Sequence, residues 1–478
     1  MGIKSLLNLR MTKIVCTIGP ATSSDDQIRR LILAGMNVAR LNFSHGSHDT
    51  HKKILRAIRR ISEELGHEVG ILQDLGGPKI RLGKLPVQEL KLRTGEKIGL
   101  GPESSSDLSV MPVNYPFIVE DVAVGDRILL ADGLVELEVV AKASKKVICR
   151  VVVGGVVHSQ KGINLPASKL RVPAFTDKDR EDLELGLKER VDFVALSFVR
   201  REQDLEPVQE IIKLSASRPL LIAKIEKAQA IERLEQILAR VDGVMVARGD
   251  LGVETPLEEI PIIQKKIIRL ARQAGKPVIT ATQMLRSMVS SPRPTRAEAT
   301  DVANAVLDGT DALMLSEETA MGEFPVEAVT ILDRIARATE AQLLERSLIR
   351  EPLPDLLPRT ESAISRAACW LAEDLQAPAI VAGTSSGSTA RLVARFRPPC
   401  PVIGLTPHIP TQRQLTLSWG VRPALVETFT DTEHMFELTR AWALAKGIAK
   451  KGDLLIVTAG VPVNTPGKTN LLKVVEIH

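Results

Sequence analysis

Cysteine is scarce in this 478-residue chain: Cys16, Cys149, Cys369 and Cys400 lie far apart and form no CxxC pair. A disulfide framework and a cysteine zinc site are thereby excluded as organising features, and a reducing compartment is expected. Aromatic residues make up 3 %, too few for a stacking platform that reads single-stranded nucleic acid. No run reaches the roughly 18 apolar residues of a membrane span, and the opening MGIKSLLNLRMTK lacks a signal-peptide core. The expectation is a cytoplasmic protein that engages neither membrane nor nucleic acid. An excess of one charge is lacking as well. Lys and Arg number 63 against 58 Asp and Glu, a formal +5, interleaved with no basic tract; small phosphorylated anions suit that balance. The 28 prolines and 32 glycines follow no period, which removes collagen-like and low-complexity classes.

What is present is a globular composition, 44 % hydrophobic and 25 % charged, in a length that suits about three domains. Eight short apolar runs recur: IVCTI at 14 to 18, NVARLNF at 37 to 43, VGILQDL at 69 to 75, VDFVALSF at 191 to 198, PLLIAKI at 219 to 225, GVMVA at 243 to 247, PVITAT at 277 to 282 and DALMLS at 311 to 316. Segments of helical length and spacing separate most of them, such as DDQIRRLILAG and EIPIIQKKIIRLARQAG. Continuous apolar strands alternating with amphipathic helices predict an α/β fold, a closed (β/α)8 TIM barrel buried on both faces of its sheet. From 76 to 164 the pattern changes to Val-rich runs such as LVELEVVAKAS and KVICRVVVGGVV, separated by turn residues. This predicts a β-barrel cap inserted after the third strand, between barrel segments 1–75 and 165–346. The Pro-rich stretch EPLPDLLPRT reads as a linker, and 347–478 as a separate C-terminal α/β domain.

Catalytic groups of such barrels sit at the carboxyl ends of the strands, and polar residues gather there. The second run ends in Arg40, Asn42 and Ser44, the third in Asp74, and the fifth in Lys224 and Glu226. The sixth leads into Arg248, Gly249 and Asp250, the seventh ends at Thr282, and the eighth at Ser316 and Glu317. A charge within an apolar strand is costly unless paired or metal-bound, so the repeated placement argues for one shared site. Strand period two puts Lys224 and Glu226 on the same side. Glu226 and Asp250 supply two hard oxygen ligands suited to Mg²⁺ (or Mn²⁺). Lys224 beside that ion would neutralise charge on a transferring phosphoryl group. A buried salt bridge is the plainer reading of Lys224 and Glu226; Gly249, which lets backbone approach a ligand closely, favours the site.

The stretches KIVCTIGPAT, NVARLNFSHG, GPKIR, KGINLP, LIAKIE, MVARGDLGVE, ITATQML and RPTRAEATDVANAVLDGTDALMLSEETA resemble pyruvate kinases, in that family's order and over essentially the whole chain. The resemblance implies transfer of a phosphoryl group from phosphoenolpyruvate to ADP, giving pyruvate and ATP, by a homotetramer. It implies that Lys224 steadies the phosphoryl group and Arg40 contacts the donor phosphate. Gly249, Asp250 and Thr282 would orient the three-carbon unit, while Asn42, Phe43, Ser44, His45, Arg81 and Lys178 would engage the nucleotide. Thr282 or Ser316 through water is a candidate route for the proton that completes pyruvate. Glu317 stands where the family's SGET-like stretch usually has Gly. An aldolase or carboxylase acting on phosphoenolpyruvate would share the barrel and Mg²⁺ but would not need the nucleotide-facing set, and a scaffold would bind without turnover. ADP-dependent pyruvate release separates these readings.

The resemblance also places a K⁺ site at Asn42, Ser44, Asp74 and Leu75, where relatives carry Thr in place of Leu75. Lys79 stands where K⁺-dependent relatives carry Glu, and its ammonium can supply the charge of the ion; activity without K⁺ is expected. In the last domain Thr384, Ser385, Ser386, Gly387, Ser388 and Thr389 form a hydroxyl-rich loop between an apolar run and a helix, suited to cradling phosphate. With Lys468 in the later TPGKTN loop, it is the expected site of a phosphorylated allosteric effector. One such cradle without a second basic clamp favours a sugar monophosphate or AMP over fructose 1,6-bisphosphate.

Overall fold

The computed structural model describes residues 10–103, 110–131, 133–166, 171–346, 359–463 and 468–478; most of the Pro-rich stretch read as a linker lies outside them. Eight parallel strands close into a barrel: β1 (Lys13–Thr17), β2 (Val38–Asn42), β3 (Gly70–Asp74), β4 (Phe193–Leu196), β5 (Leu220–Ile225), β6 (Gly243–Ala247), β7 (Val278–Ala281) and β8 (Ala312–Leu315). Closure is made by β1 against β8, with Lys13 opposite Ala312. Alternation along each strand divides the apolar residues between two cores. Val15, Leu72, Phe193, Ile222, Met245 and Ile279 fill the barrel. Ile14, Cys16, Leu41 and Ile71 face outward onto Ile28, Leu31 and Ile58 of the surrounding helices. Each such side chain contributes about 1.5–3 kcal/mol by leaving water, which is why the apolar runs became strands without exception.

Between β3 and β4 the chain leaves the barrel. The insertion holds a six-stranded sheet that includes Lys97–Pro102, Arg127–Leu130, Val135–Ala143 and Lys146–Val153, and a separate pair, Leu90–Leu92 with Gly155–Val157. Its strand pairing is that of a curled half-barrel, a refinement of the closed cap barrel expected. Among the described residues the two sheet edges are joined only through single bridges from Arg81 to Gly162 and Leu82 to Val113. Where the chain returns, Thr176 and Asp179 form a reciprocal cap on the helix Asp177–Lys188. Asp179 Oδ1 also accepts from the Gly77 amide (3.0 Å). The outgoing and returning connections are thus tied at one helix start, as capping residues do when they satisfy free amides.

The C-terminal sheet runs Val421–Leu425, Val402–Thr406, Ile380–Gly383, Leu454–Ala459 and Leu471–Glu476, with only the last strand antiparallel. The sequence reading missed a helix here, Ile409–Gln414, because six residues opening on Ile-Pro are too few to show a helical period. This domain seals the floor of the barrel. Leu417 joins the barrel's inner core, Lys13 Nζ donates to Val421 O (2.7 Å), and Arg397 pairs with Asp311 (3.1 Å). All four cysteines are free and buried. Among the described residues no helix is long and apolar enough to cross a membrane.

Candidate active site

The polar ends of β2, β3 and β5 converge on one network. Arg40 Nε donates to Asp74 Oδ2 (2.7 Å) and Arg40 NH1 to Thr17 Oγ1 (2.9 Å). Lys224 Nζ lies 3.3 Å from Asp74 Oδ1 and 2.8 Å from Glu226 Oε1, and donates to Ser197 Oγ (2.8 Å). Asp74 and Glu226 are each 1 % exposed. Burial alone would raise the Asp74 carboxyl, but Lys224 and Arg40 outweigh it and hold it below the ordinary range. Burial likewise opposes the Lys224 ammonium; Asp74 and Glu226 win, and its pKa is raised. The lysine is therefore charged at any working pH.

Asp250 sits in the helix Arg248–Glu254, which starts directly from β6. Burial and the like charge of Glu226 push its carboxyl up to about 6, against the pull of Lys224 and Lys79. Asp74 Oδ1 and Glu226 Oε1 are both shut off from solvent and are held by their ion pairs with Lys224. A carboxyl disfavoured as an anion by burial and by a second carboxylate fits a hard cation shared between the two. Among the described residues no group of three or more His, Cys, Asp or Glu side chains is arranged to hold a metal. An ion held by Glu226 and Asp250 would therefore complete its shell with substrate oxygens and water.

Thr282, just past β7, has φ +69° and Gln283 φ +55°. A β-branched residue in the left-handed region is strained, and such strain gathers at functional sites. The distortion turns Thr282 Oγ1 onto the Gly249 amide, which donates to it (2.7 Å). Phe198, at φ +57°, presents its amide to Glu226 Oε2 (2.9 Å). A cleft of about 450 Å³ between barrel and cap is lined by His45, Lys79, Arg81, Lys161, Lys227 and Asp250. Burial with Lys79, Arg81 and Arg40 nearby lowers the His45 pKa. Desolvation, Lys224 and Arg81 lower that of Lys79, against Asp250 and Asp74.

Other expected residues are placed as follows. Asn42 Oδ1 accepts from the Ser44 amide (3.1 Å), and the Leu75 carbonyl accepts from Ser197 Oγ (2.8 Å). Lys178 pairs with Asp182 (2.5 Å) and donates to Phe43 O (2.9 Å), the Phe43 ring stacking on His51 at 4.0 Å. The Ser316 amide donates to Glu318 Oε2 (2.7 Å), while Glu317 turns outward to pair with Arg286 (2.9 Å). In the last domain Thr384 Oγ1 accepts from the Gly387 amide (2.9 Å), and Thr389 Oγ1 meets Thr469 Oγ1 at 3.0 Å, next to Lys468. Ser388 opens the helix Ser388–Ala394. Ser385 O accepts from Thr411 Oγ1 (2.7 Å) and Ser386 O from Arg391 (3.0 Å). Arg391 is a base beneath this loop that the sequence reading did not single out. Ser197, Thr17 and Lys227 were missed too, because the residues they serve lie on other strands.

A barrel with charged groups collected at the carboxyl ends of its strands, beneath a cap that closes a cationic cleft, defines an enzyme for a small anionic substrate. The sequence families described as "Pyruvate kinase, barrel domain" and "Pyruvate kinase, alpha/beta domain" match residues 9–329 and 362–475. The chain is 48 % identical over 471 residues to pyruvate kinase 2 of a Synechocystis strain, covering 97 % of this chain and 79 % of that one. It is 42 % identical to the pyruvate kinase of Clostridium acetobutylicum, covering 98 % and 99 %. The crystal structure of a pyruvate kinase from Cryptosporidium parvum superposes with a TM-score of 0.92 at 36 % identity, covering 99 % and 97 %. The chain belongs to the pyruvate kinase family. Its reaction is transfer of the phosphoryl group of phosphoenolpyruvate to ADP, giving pyruvate and ATP, the last step of glycolysis.

Proposed function

We propose that this reaction is carried by Lys224, Arg40 and Thr282 at the mouth of the barrel. The observation that supports this reading is the buried Lys224 ammonium, set between Asp74 and Glu226 and close enough to Asp250 and Lys79 of the cleft wall to act on both. Arg40, oriented by Asp74 and Thr17, engages the donor phosphate. In the transfer, the bond from phosphorus to the enol oxygen breaks as one to the ADP β-phosphate oxygen forms, and negative charge spreads over the phosphoryl oxygens. Lys224 meets that charge with a preorganised positive group in a site poor in water. Gly249, Asp250 and Thr282 orient the carboxylate and the three-carbon unit, and the remaining enolate takes a proton at its terminal carbon. Asn42, Phe43, Ser44, His45, Arg81 and Lys178 engage the nucleotide.

Glu226 and Asp250 would hold the divalent cation, Mg²⁺ or Mn²⁺, which when bound disperses charge on the transferring group. Lys79 takes over the role of K⁺, so Asn42, Ser44, Asp74 and Leu75 need no ion; the support is the place of Lys79 in the cleft wall with Asp250. Thr384 to Thr389 with Lys468 bind a phosphorylated effector, a sugar monophosphate or AMP. Segments 1–75 and 165–346 form the catalytic unit, 76–164 the cap and 347–478 the regulatory unit of a cytoplasmic homotetramer. A coupled assay tests the reading: pyruvate release from phosphoenolpyruvate must require both ADP and Mg²⁺, and release independent of ADP would overturn it.

A further inference from the structure

We infer that the protein carries a second anion pocket, at the root of the cap, that takes a small hydroxylated phosphate monoester. The inference is independent of the substrate cleft and of the effector loop. A cavity of about 640 Å³ lies against the chain returning from the cap, within the size range of small-ligand sites. Arg200 lines both this cavity and the substrate cleft, so the two stand on opposite sides of one side chain.

Four arginines line it, Arg171, Arg200, Arg201 and Arg233, against two carboxylates, Asp204 and Glu232. Two of the arginines hold the walls together. Arg171 Nε lies 2.8 Å from Asp121 Oδ1 of the cap, and Arg200 donates to Asp204 and to Val172 O (3.0 Å). Asp204 is consumed in the process, since it also accepts from the Arg200 amide (2.9 Å). The other two guanidinium groups share one neighbouring carboxylate, Glu202. Arg201 reaches Asp204 only at 3.9 Å with its side chain 63 % exposed. Among the described residues Arg233 makes no ion pair within 4.0 Å. Two guanidinium groups beside a single carboxylate keep a net positive charge, and a phosphate dianion accepts paired N–H donors from a guanidinium.

A second observation concerns the rest of the ligand. Gln229 also lines the cavity, and its Oε1, turned away from the open space, accepts no hydrogen bond. A turn of that amide toward the cavity lets the acceptor gain a donor, which a ligand hydroxyl supplies and a bare phosphate dianion does not. Pro173, Phe175 and Pro207 form an apolar wall for the carbon body.

The test is isothermal titration of the full-length protein with glycerol 2-phosphate, inorganic phosphate and glycerol. Wild type is expected to bind one more equivalent of glycerol 2-phosphate per chain than Arg201→Ser/Arg233→Ser, whose affinity at that site falls at least tenfold while kcat for pyruvate formation is unchanged. Arg201→Lys/Arg233→Lys is expected to keep the extra equivalent, which shows that the loss in the serine protein is one of charge. Inorganic phosphate is expected to bind there at least threefold more weakly than the ester, and glycerol not at all. Identical stoichiometry and affinity in wild type and the serine variant would overturn the site. Inorganic phosphate binding as tightly as the ester would overturn the ligand class.

Discussion

Lys224 Nζ lies 2.8 Å from Glu226 Oε1, two residues further along the same strand. The i, i+2 spacing that turns both side chains to one side of the strand also buries them together. Neither residue is confined to a two-membered salt bridge: Glu226 Oε2 also accepts from the Phe198 amide (2.9 Å), and Lys224 is drawn at once toward Asp74 on β3. Several outcomes are expected from this arrangement.

Glu226→Gln and Asp250→Asn should each raise the Mg²⁺ concentration needed for half-maximal rate by tenfold or more, because each removes a hard anionic ligand. Mg²⁺ titrations of initial rate read this directly. Unchanged Mg²⁺ dependence in both proteins contradicts the assignment.

Wild-type rates in tetramethylammonium and in K⁺ buffers of equal ionic strength should agree within about twofold, since the Lys79 ammonium already supplies a fixed positive charge. Lys79→Glu should convert the enzyme to one that K⁺ activates. Strong K⁺ activation of the unaltered protein contradicts the role given to Lys79.

Ser386→Asp places a negative charge in the hydroxyl-rich loop over Arg391. Phosphoenolpyruvate titrations with AMP, ribose 5-phosphate and glucose 6-phosphate should show lowered half-saturation in wild type and no response in the variant. A ligand that binds both states of the enzyme equally shifts nothing. Activation that persists unchanged in Ser386→Asp removes this loop as the effector site.

Lys13, in the floor of the barrel, has its pKa lowered to about 7 by burial, with Arg10 and Arg422 adding to the effect against Glu340 and Asp311. The unfolded chain therefore binds more protons than the folded one between about pH 7 and the ordinary lysine value of 10.5. Unfolding free energy should rise with pH across that window through this residue. Lys13→Met should flatten the rise and be neutral to stabilising at pH 7, since an apolar isostere removes a buried charge. Chemical denaturation at pH 6.5, 8 and 9.5 checks it, and the same pH slope in both proteins contradicts it.

The barrel was legible because its strands are buried on both faces over most of their length and so read as apolar runs broken mainly toward their carboxyl ends, down to β8, where Ala312 to Leu315 are all buried. The gathering of Arg40, Asp74, Lys224 and Glu226 was legible from their shared position at strand ends. Relations across strands were not. Nothing near Lys224 in the sequence announces Ser197 as its hydrogen-bond partner, and the left-handed turn at Thr282 uses no glycine to mark it. Glu317 was equally opaque, since its solvent-facing pair with Arg286 depends on a turn that brings two separate segments together. The edges of the cap meet through Arg81 and Leu82, single-residue bridges with no strand pattern to read.

The most direct measurement is kcat of Lys224→Met at saturating Mg²⁺, phosphoenolpyruvate and ADP. Removing one preorganised charge stabiliser costs about 3–4 kcal/mol in the transition state, a fall of roughly 10²–10³ in rate. The same change leaves Glu226 without its cation and Asp74 with Arg40 alone, at about 3–5 kcal/mol of stability, so a thermal melt of the purified variant must show a folded protein at the assay temperature. A folded variant with kcat reduced by 10² or more is the result this account predicts. A folded variant turning over at close to the wild-type rate would contradict it.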